Sequence, residues 1–269
     1  MTDPEPSIEW VVPAARNDVR LGRLNGLLVA EWPGIGRAVA SRADSTVTFH
    51  PEPGVSIETV RKFRVTTLMA CERYLNGALS LHGSAVCLPS GAVVLVGDSG
   101  AGKSTTAMAL VEHEGGAFMA DDVVPVDLGP ATALVHPVED TFWLTGDTCA
   151  SFRLSGPISG KLPCAPSRRA THPTTLQAVI HLTFDDSAAP RALERLHGRE
   201  TFVALSRAHF SFPWETLSST LADFEVRERL AALAPVFRLR RPHSLGSLES
   251  IAHTIAQCIA NLPTSGARP

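Results

Sequence analysis

Eight residues carry the clearest chemistry in the chain: Gly97-Asp98-Ser99-Gly100-Ala101-Gly102-Lys103-Ser104. They fit the spacing G-x-x-x-x-G-K-[ST], follow the apolar run Ala92–Val96, and lead with Thr105 into a helical pattern that continues to Val111. Strand, glycine-rich loop and helix in that order make a phosphate-binding loop. Glycines let backbone N–H groups close around phosphate oxygens, and the helix presents its positive N-terminus. Lys103 reaches toward the β- and γ-phosphates, and the Ser104 hydroxyl suits Mg²⁺. The expected ligand is therefore a nucleoside triphosphate held by Gly97–Ser104 and Thr105.

A phosphate loop does not by itself choose between a switch, a motor and a kinase. Its acidic partners decide, and two Asp-Asp pairs compete. Asp121-Asp122 is expected at the end of a strand Ala117–Met119 that follows the loop helix, with further strands at Val123–Val126 and Ala133–Val135. Two carboxylates there could divide the work, one holding metal and one accepting a hydroxyl proton. Asp185-Asp186 follows the apolar strand Ala178–Phe184 and imitates the strand-then-acid pattern of ATPases. The segment Leu154-Ser155-Gly156-Pro157 only half matches the L-S-G-G-Q of transporter ATPases, and its proline opposes a helix start there. His82, 21 residues before Lys103, lies on a strand expected to neighbour the loop strand.

Leu81-His82-Gly83, Val94–Leu110 and Ala120-Asp121-Asp122 together resemble the catalytic core of HPr kinase/phosphorylase and its HPr-kinase-like relatives, including kinases of lasso-peptide precursors. The resemblance is clear over about residues 79–127. It implies ATP on Gly97–Ser104, Mg²⁺ on Ser104 and Asp121, Asp122 as general base, and His82 in the active site. It also implies a peptide or small-protein phosphoacceptor, and is compatible with a homo-oligomer. Thr105 departs from the Glu that follows Lys-Ser in that family, and no E-I-R-G-L-G segment is present. Glu139 and Asp140 are weak substitutes for its metal-binding Glu, and Lys161, Arg168 or Arg169 are candidates to close over the γ-phosphate.

The elements that must position these residues form an α/β fold with α+β character. The expectation is a mixed-sheet P-loop core like those of HPr kinase and PEP carboxykinase, with a small N-terminal β-rich appendage. Disordered tails are expected at 1–8 and 261–269, the appendage at 9–78 and the core at 79–260. Short β-like runs at Gly26–Glu31, Arg37–Ala40 and Thr46–Phe49 precede a helix over Thr59–Leu79 that ends near Asn76-Gly77. Gly146–Thr175 has turn residues and no clear structure. Helices over Glu200–His209, Leu217–Ala232 and Leu248–Ile259, with a strand Val236–Leu239, complete the core.

With 269 residues and 44% hydrophobic content the chain can bury a full core, and its net charge of -3 leaves no basic footprint for nucleic acid. The acidic, proline-broken start is not a secretory signal, and no apolar run approaches the roughly 20 residues of a membrane span. A cytoplasmic protein with no membrane partner is expected. Five scattered cysteines (Cys71, Cys87, Cys149, Cys164, Cys258) read as reduced thiols in packing roles.

Overall fold

The computed structural model describes residues 8–15, 19–41, 43, 46–152, 161–185, 193–212 and 218–262. The chain divides into two compact units, one of residues 1–78 with 210–225, the other of 79–209 with 226–269.

The first unit is built on an antiparallel meander of β1 (Glu9–Ala15), β2 (Val19–Leu24), β3 (Leu27–Trp32), β4 (Gly36–Ser41) and β5 (Thr46–Pro51). Asn25 and Gly26 link β2 to β3 with φ of 51° and 79°, the doubly left-handed turn whose twist suits a two-residue hairpin. After it come α1 (Ile57–Phe63), a π-helical turn at Arg64–Leu68, and α2 (Met69–Leu75). Ser56 caps α1 by accepting the Thr59 N–H. Phe63 sets α1 on the sheet, with ring centroids 4.9 Å from both Trp32 and Phe49. The helical stretch closes at Leu75 with Asn76 as its C-cap, at the expected Asn76-Gly77 stop, but it is divided by the π-helical turn, and Leu79 opens a strand.

The second unit contains β6 (Leu79–Leu88), β7 (Gly91–Val96), α3 (Lys103–His113), β8 (Ala117–Leu128), β9 (Ala133–Val135), β10 (Phe142–Thr145), α4 (Gly146–Ser151) and β11 (Lys161–Cys164). It continues with β12 (Thr174–Phe184), β13 (Glu194–Arg195), α5 (Gly198–Ala208), β14 (Val236–Arg241) and α7 (Leu248–Ala260). Helix α6 (Ser218–Leu233) contributes its C-terminal part to this unit. The main sheet has the order β13-β14-β12-β7-β6-β8-β9. It is mixed: β7, β12 and β14 run parallel, while β6 is antiparallel to both β7 and β8.

Ala92–Val96 of β7 are all fully buried because both sheet faces are covered, which is why this strand is continuously apolar. Leu95, Met108, Leu110, Ile180, Leu239 and Ile251 form the core on the α3 and α7 face. Val94, Val96, Met119, Val179, Leu205 and Leu230 form it on the α5 face. Each such side chain contributes about 1.5–3 kcal/mol relative to exposure. Among the described residues no helix is long and apolar enough to cross a membrane.

Two expectations need correction. The segment expected to end in Asp121-Asp122 and restart at Val123 is one uninterrupted strand, because β8 pairs with β6 from Ala117 through Val126. The turn-rich stretch 146–175 carries regular elements: α4 opens it, and β11 pairs antiparallel with β10 in a two-stranded ribbon. Pro163 is tolerated there because an edge strand needs fewer backbone donors. Leu154–Pro157 and Asp186, along with residues 1–7 and 263–269 of the expected tails, lie outside the described residues.

Candidate active site

Register places the candidate residues on neighbouring rungs. Asp122 is opposite Gly83, Gly83 opposite Val96, Val96 opposite His181, and His181 opposite Arg238. Val96 is the last strand residue before the phosphate loop, so the Asp pair lies level with the loop's entrance although β8 continues past it. One rung further along, His82 faces Val123 on the adjacent strands. Both His82 and Asp122 are half-buried. Asp122 has a φ of 63°, a left-handed conformation that a non-glycine residue adopts only at some cost. Its partner Gly83 is constrained by space: a Cβ there would press on the Leu95 carbonyl oxygen.

The loop turns over the carboxyl edge of β7. Gly97 passes so close to β12 that a Cβ would meet the Leu182 carbonyl, and Gly102 starts α3 with a φ of 83°. Asp98, Ser99 and Gly100 are exposed, and Ala101 is buried. Lys103 is buried and donates to the Gly97 and Asp98 carbonyl oxygens, both at 3.1 Å. The loop's own carbonyls thus hold the ammonium inside the curve that phosphate oxygens would enter.

Beneath the start of α3, the fully buried Asp121 accepts three hydrogen bonds. The Ser84 and Ser104 hydroxyls donate to Oδ1, the latter at 2.8 Å, and the Trp143 N–H donates to Oδ2 at 3.1 Å. Burial pushes the Asp121 carboxyl above its ordinary range, Ser84 opposes this, and the neighbouring Asp122 charge adds to it. Trp143 belongs to the β10–β11 ribbon, which therefore reaches the acid through one backbone bond. The same region engages Thr105, whose hydroxyl lies 3.3 Å from that of Thr148 in α4. Cys149 and Cys164 are free thiols with sulfurs 3.0 Å apart, joining α4 to β11, and burial pushes the Cys164 thiol up to about 12.

Two of the three candidate loop cations, Arg168 and Arg169, make their contacts elsewhere. The Arg168 carbonyl accepts from Phe118 N at the start of β8, and its guanidinium lies beside Gly115, past the C-terminal end of α3. An 11-residue helix separates that end from the loop by about 16 Å. Arg169 pairs with exposed Asp140 at 3.7 Å. The Lys161 side chain lies outside the described residues. Among the described residues no group of three His, Cys, Asp or Glu assembles for a metal, so Glu139 and Asp140 do not join the Asp pair in one.

Sequence reasoning missed Arg241. It ends β14, is 3% exposed, and lays its guanidinium in the space that a Cβ of Gly102 would occupy. The sign was present in the alternation: Phe237, Leu239 and Arg241 share one face of β14, so the arginine takes a core-facing position. His181, beside Val96, is also buried and has no partner at Nδ1 among the described residues.

No protein-family model matches the chain, and no curated protein matches it. Among solved structures it is similar to the HPr(Ser) kinase/phosphatase from Coxiella burnetii, at 14% identity and a TM-score of 0.37, over 68% of this chain and 99% of that one. A likeness at this level says nothing of activity.

Proposed function

We propose that this chain is an ATP-dependent kinase that transfers the γ-phosphoryl group to a serine hydroxyl of a peptide or small protein. The observation that carries the reading is the contact between loop and acid. The Ser104 hydroxyl donates to the buried Asp121 carboxylate at 2.8 Å, while Asp122 stands beside it, level with the loop's entrance.

Phosphoryl transfer asks mainly for positioning and for neutralising charge. The loop amides and the N-terminus of α3 receive the phosphate chain, and Lys103 exchanges the Gly97 and Asp98 carbonyls for phosphate oxygens. Ser104 Oγ and Asp121 Oδ1 are hard oxygen donors suited to Mg²⁺, which keeps few protein ligands and, when bound, offsets charge on the β- and γ-phosphates. Asp122 accepts the serine proton as the serine oxygen bonds to the γ-phosphorus and the bond to the bridging oxygen breaks. His82, one rung beyond on β6, is assigned to orient the acceptor.

Intact-mass spectrometry tests this reading, using serine-bearing peptides encoded beside the gene and beginning with any resembling a lasso-peptide precursor. A gain of ~80 Da with Mg-ATP, one phosphate by formula, that disappears in Asp122→Asn is the expected result. The competing reading is a nucleotide-hydrolysing switch that uses Asp185, which follows the strand next to β7 and whose N–H donates to the Arg241 carbonyl at 2.9 Å. Hydrolysis without peptide phosphorylation, lost in Asp185→Asn but not in Asp122→Asn, would establish that switch. Phosphate appearing on free serine would identify a metabolite kinase.

A further inference from the structure

Arg241 is a buried cation whose surroundings do not satisfy it. Among the described residues its Nε and Nη1 have no hydrogen-bond partner, and the aromatic ring of Phe184 lies 5.0 Å from its guanidinium carbon. Burial pushes its pKa down. Its remaining terminal nitrogen, Nη2, rests against Gly102, the residue that starts α3. The N-terminus of a helix already carries partial positive charge, and Lys103 follows directly. Three positive features therefore converge where the described carboxylate hydrogen bonds do not reach, since Asp121 is held on the other flank by Ser84, Ser104 and Trp143.

An unpaired guanidinium is strongly disfavoured in a protein interior, and a fold keeps one where an anion completes it. The parallel strands β7, β12 and β14 bring their carboxyl ends to one edge of the sheet, the edge at which open α/β sheets take ligands. The planar guanidinium is pre-oriented against Phe184, and its unsatisfied Nε and Nη1 lie on different edges, so that each pairs with Nη2 to make a fork for phosphate oxygens.

We propose that Arg241 is a phosphate-binding residue of this loop, contacting the polyphosphate of a nucleoside triphosphate from the β14 side. The inference rests on the nucleotide reading given above and adds a ligand residue to it. Lysine cannot replace this arginine, because an ammonium has neither the fork nor the planar face.

Calorimetric titration of the full chain with Mg-ATP, and separately with adenosine, tests the assignment in wild type, R241K, R241Q and R241M, alongside thermal unfolding without nucleotide. ATP affinity is expected to fall roughly 10- to 100-fold in all three variants, the range for losing hydrogen bonds to a charged group. Adenosine affinity is expected to stay within twofold, and ligand-free R241M to melt at or above wild type because an unpaired buried charge has been removed. The assignment is overturned if ATP binds the variants as tightly as wild type, if adenosine affinity falls in step with that of ATP, or if R241K restores ATP binding. It is equally overturned if all three variants melt far below wild type yet retain the full ATP-induced stabilisation. Wild type that binds no ATP at millimolar concentration would sink the nucleotide reading itself, a result separate from any failure of Arg241.

Discussion

The two flanks of the phosphate loop differ in how their polar groups are satisfied. On the β6–β8 flank, the buried Asp121 carboxylate accepts from Ser84, Ser104 and Trp143, groups drawn from three separate elements. On the β12–β14 flank, Arg241 leaves two nitrogens and His181 leaves Nδ1 without partners among the described residues. The chain completes the first flank with its own donors, so that flank is organised before any ligand arrives. It leaves the second to be completed by what binds. On the proposed reading Asp121 holds metal and must be aimed in advance, because Mg²⁺ tolerates little error in geometry, whereas a planar guanidinium braced against a ring needs no further aiming.

Four changes break or sharpen this contrast. The largest effect is expected from Asp122→Asn, which should lower phosphoryl transfer on the order of 10²- to 10⁴-fold with ATP affinity preserved, measured by single-turnover kinetics. Ser84→Ala removes one donor from Asp121 and should cost about 1.5–3 kcal/mol of stability by urea unfolding. Arg241→Met should show the opposite sign in the same measurement, no loss or a gain, which is the direct test that the flanks differ. The smallest effect is at His181. Burial holds its pKa below the ordinary 6.5, with the Asp98 charge partly opposing. As pH falls through 6.5 the unfolded chain takes up a proton that the folded chain refuses, so stability present above that pH is lost as pH falls toward the folded pKa. His181→Gln should flatten this loss, seen by comparing unfolding midpoints at mildly acidic and neutral pH.

The loop, β7 and α3 are legible in the sequence because one pattern names all three and both flanking elements follow their periodicities. The place of the Asp pair is legible only in part. Two adjacent acids read as the end of a strand, yet β8 runs through them, since Asp122 adopts a left-handed φ opposite a glycine and the ladder closes around it. Arg241 escaped notice because an arginine at a strand end normally belongs to solvent, and only three-dimensional register reveals that it faces Gly102. Arg168 and Arg169 misled for the complementary reason: the stretch that carries them returns to the far end of α3, a crossing that composition does not encode.

The sheet order has a consequence for the timing of assembly. β6 and β7 are joined by a short turn in which Leu88 pairs with Gly91, and β8 follows after one helix, so the acid-bearing flank closes through nearby contacts. β12 and β14 enter from far downstream, and nonlocal parallel pairing is slow because long loops must close before it is rewarded. During synthesis the loop, Lys103 and Asp121 leave the ribosome well before Arg241. A nascent chain therefore acquires the Ser84–Asp121–Ser104 side of the loop first, and the pairing of β14 is the late step that brings Arg241 to Gly102.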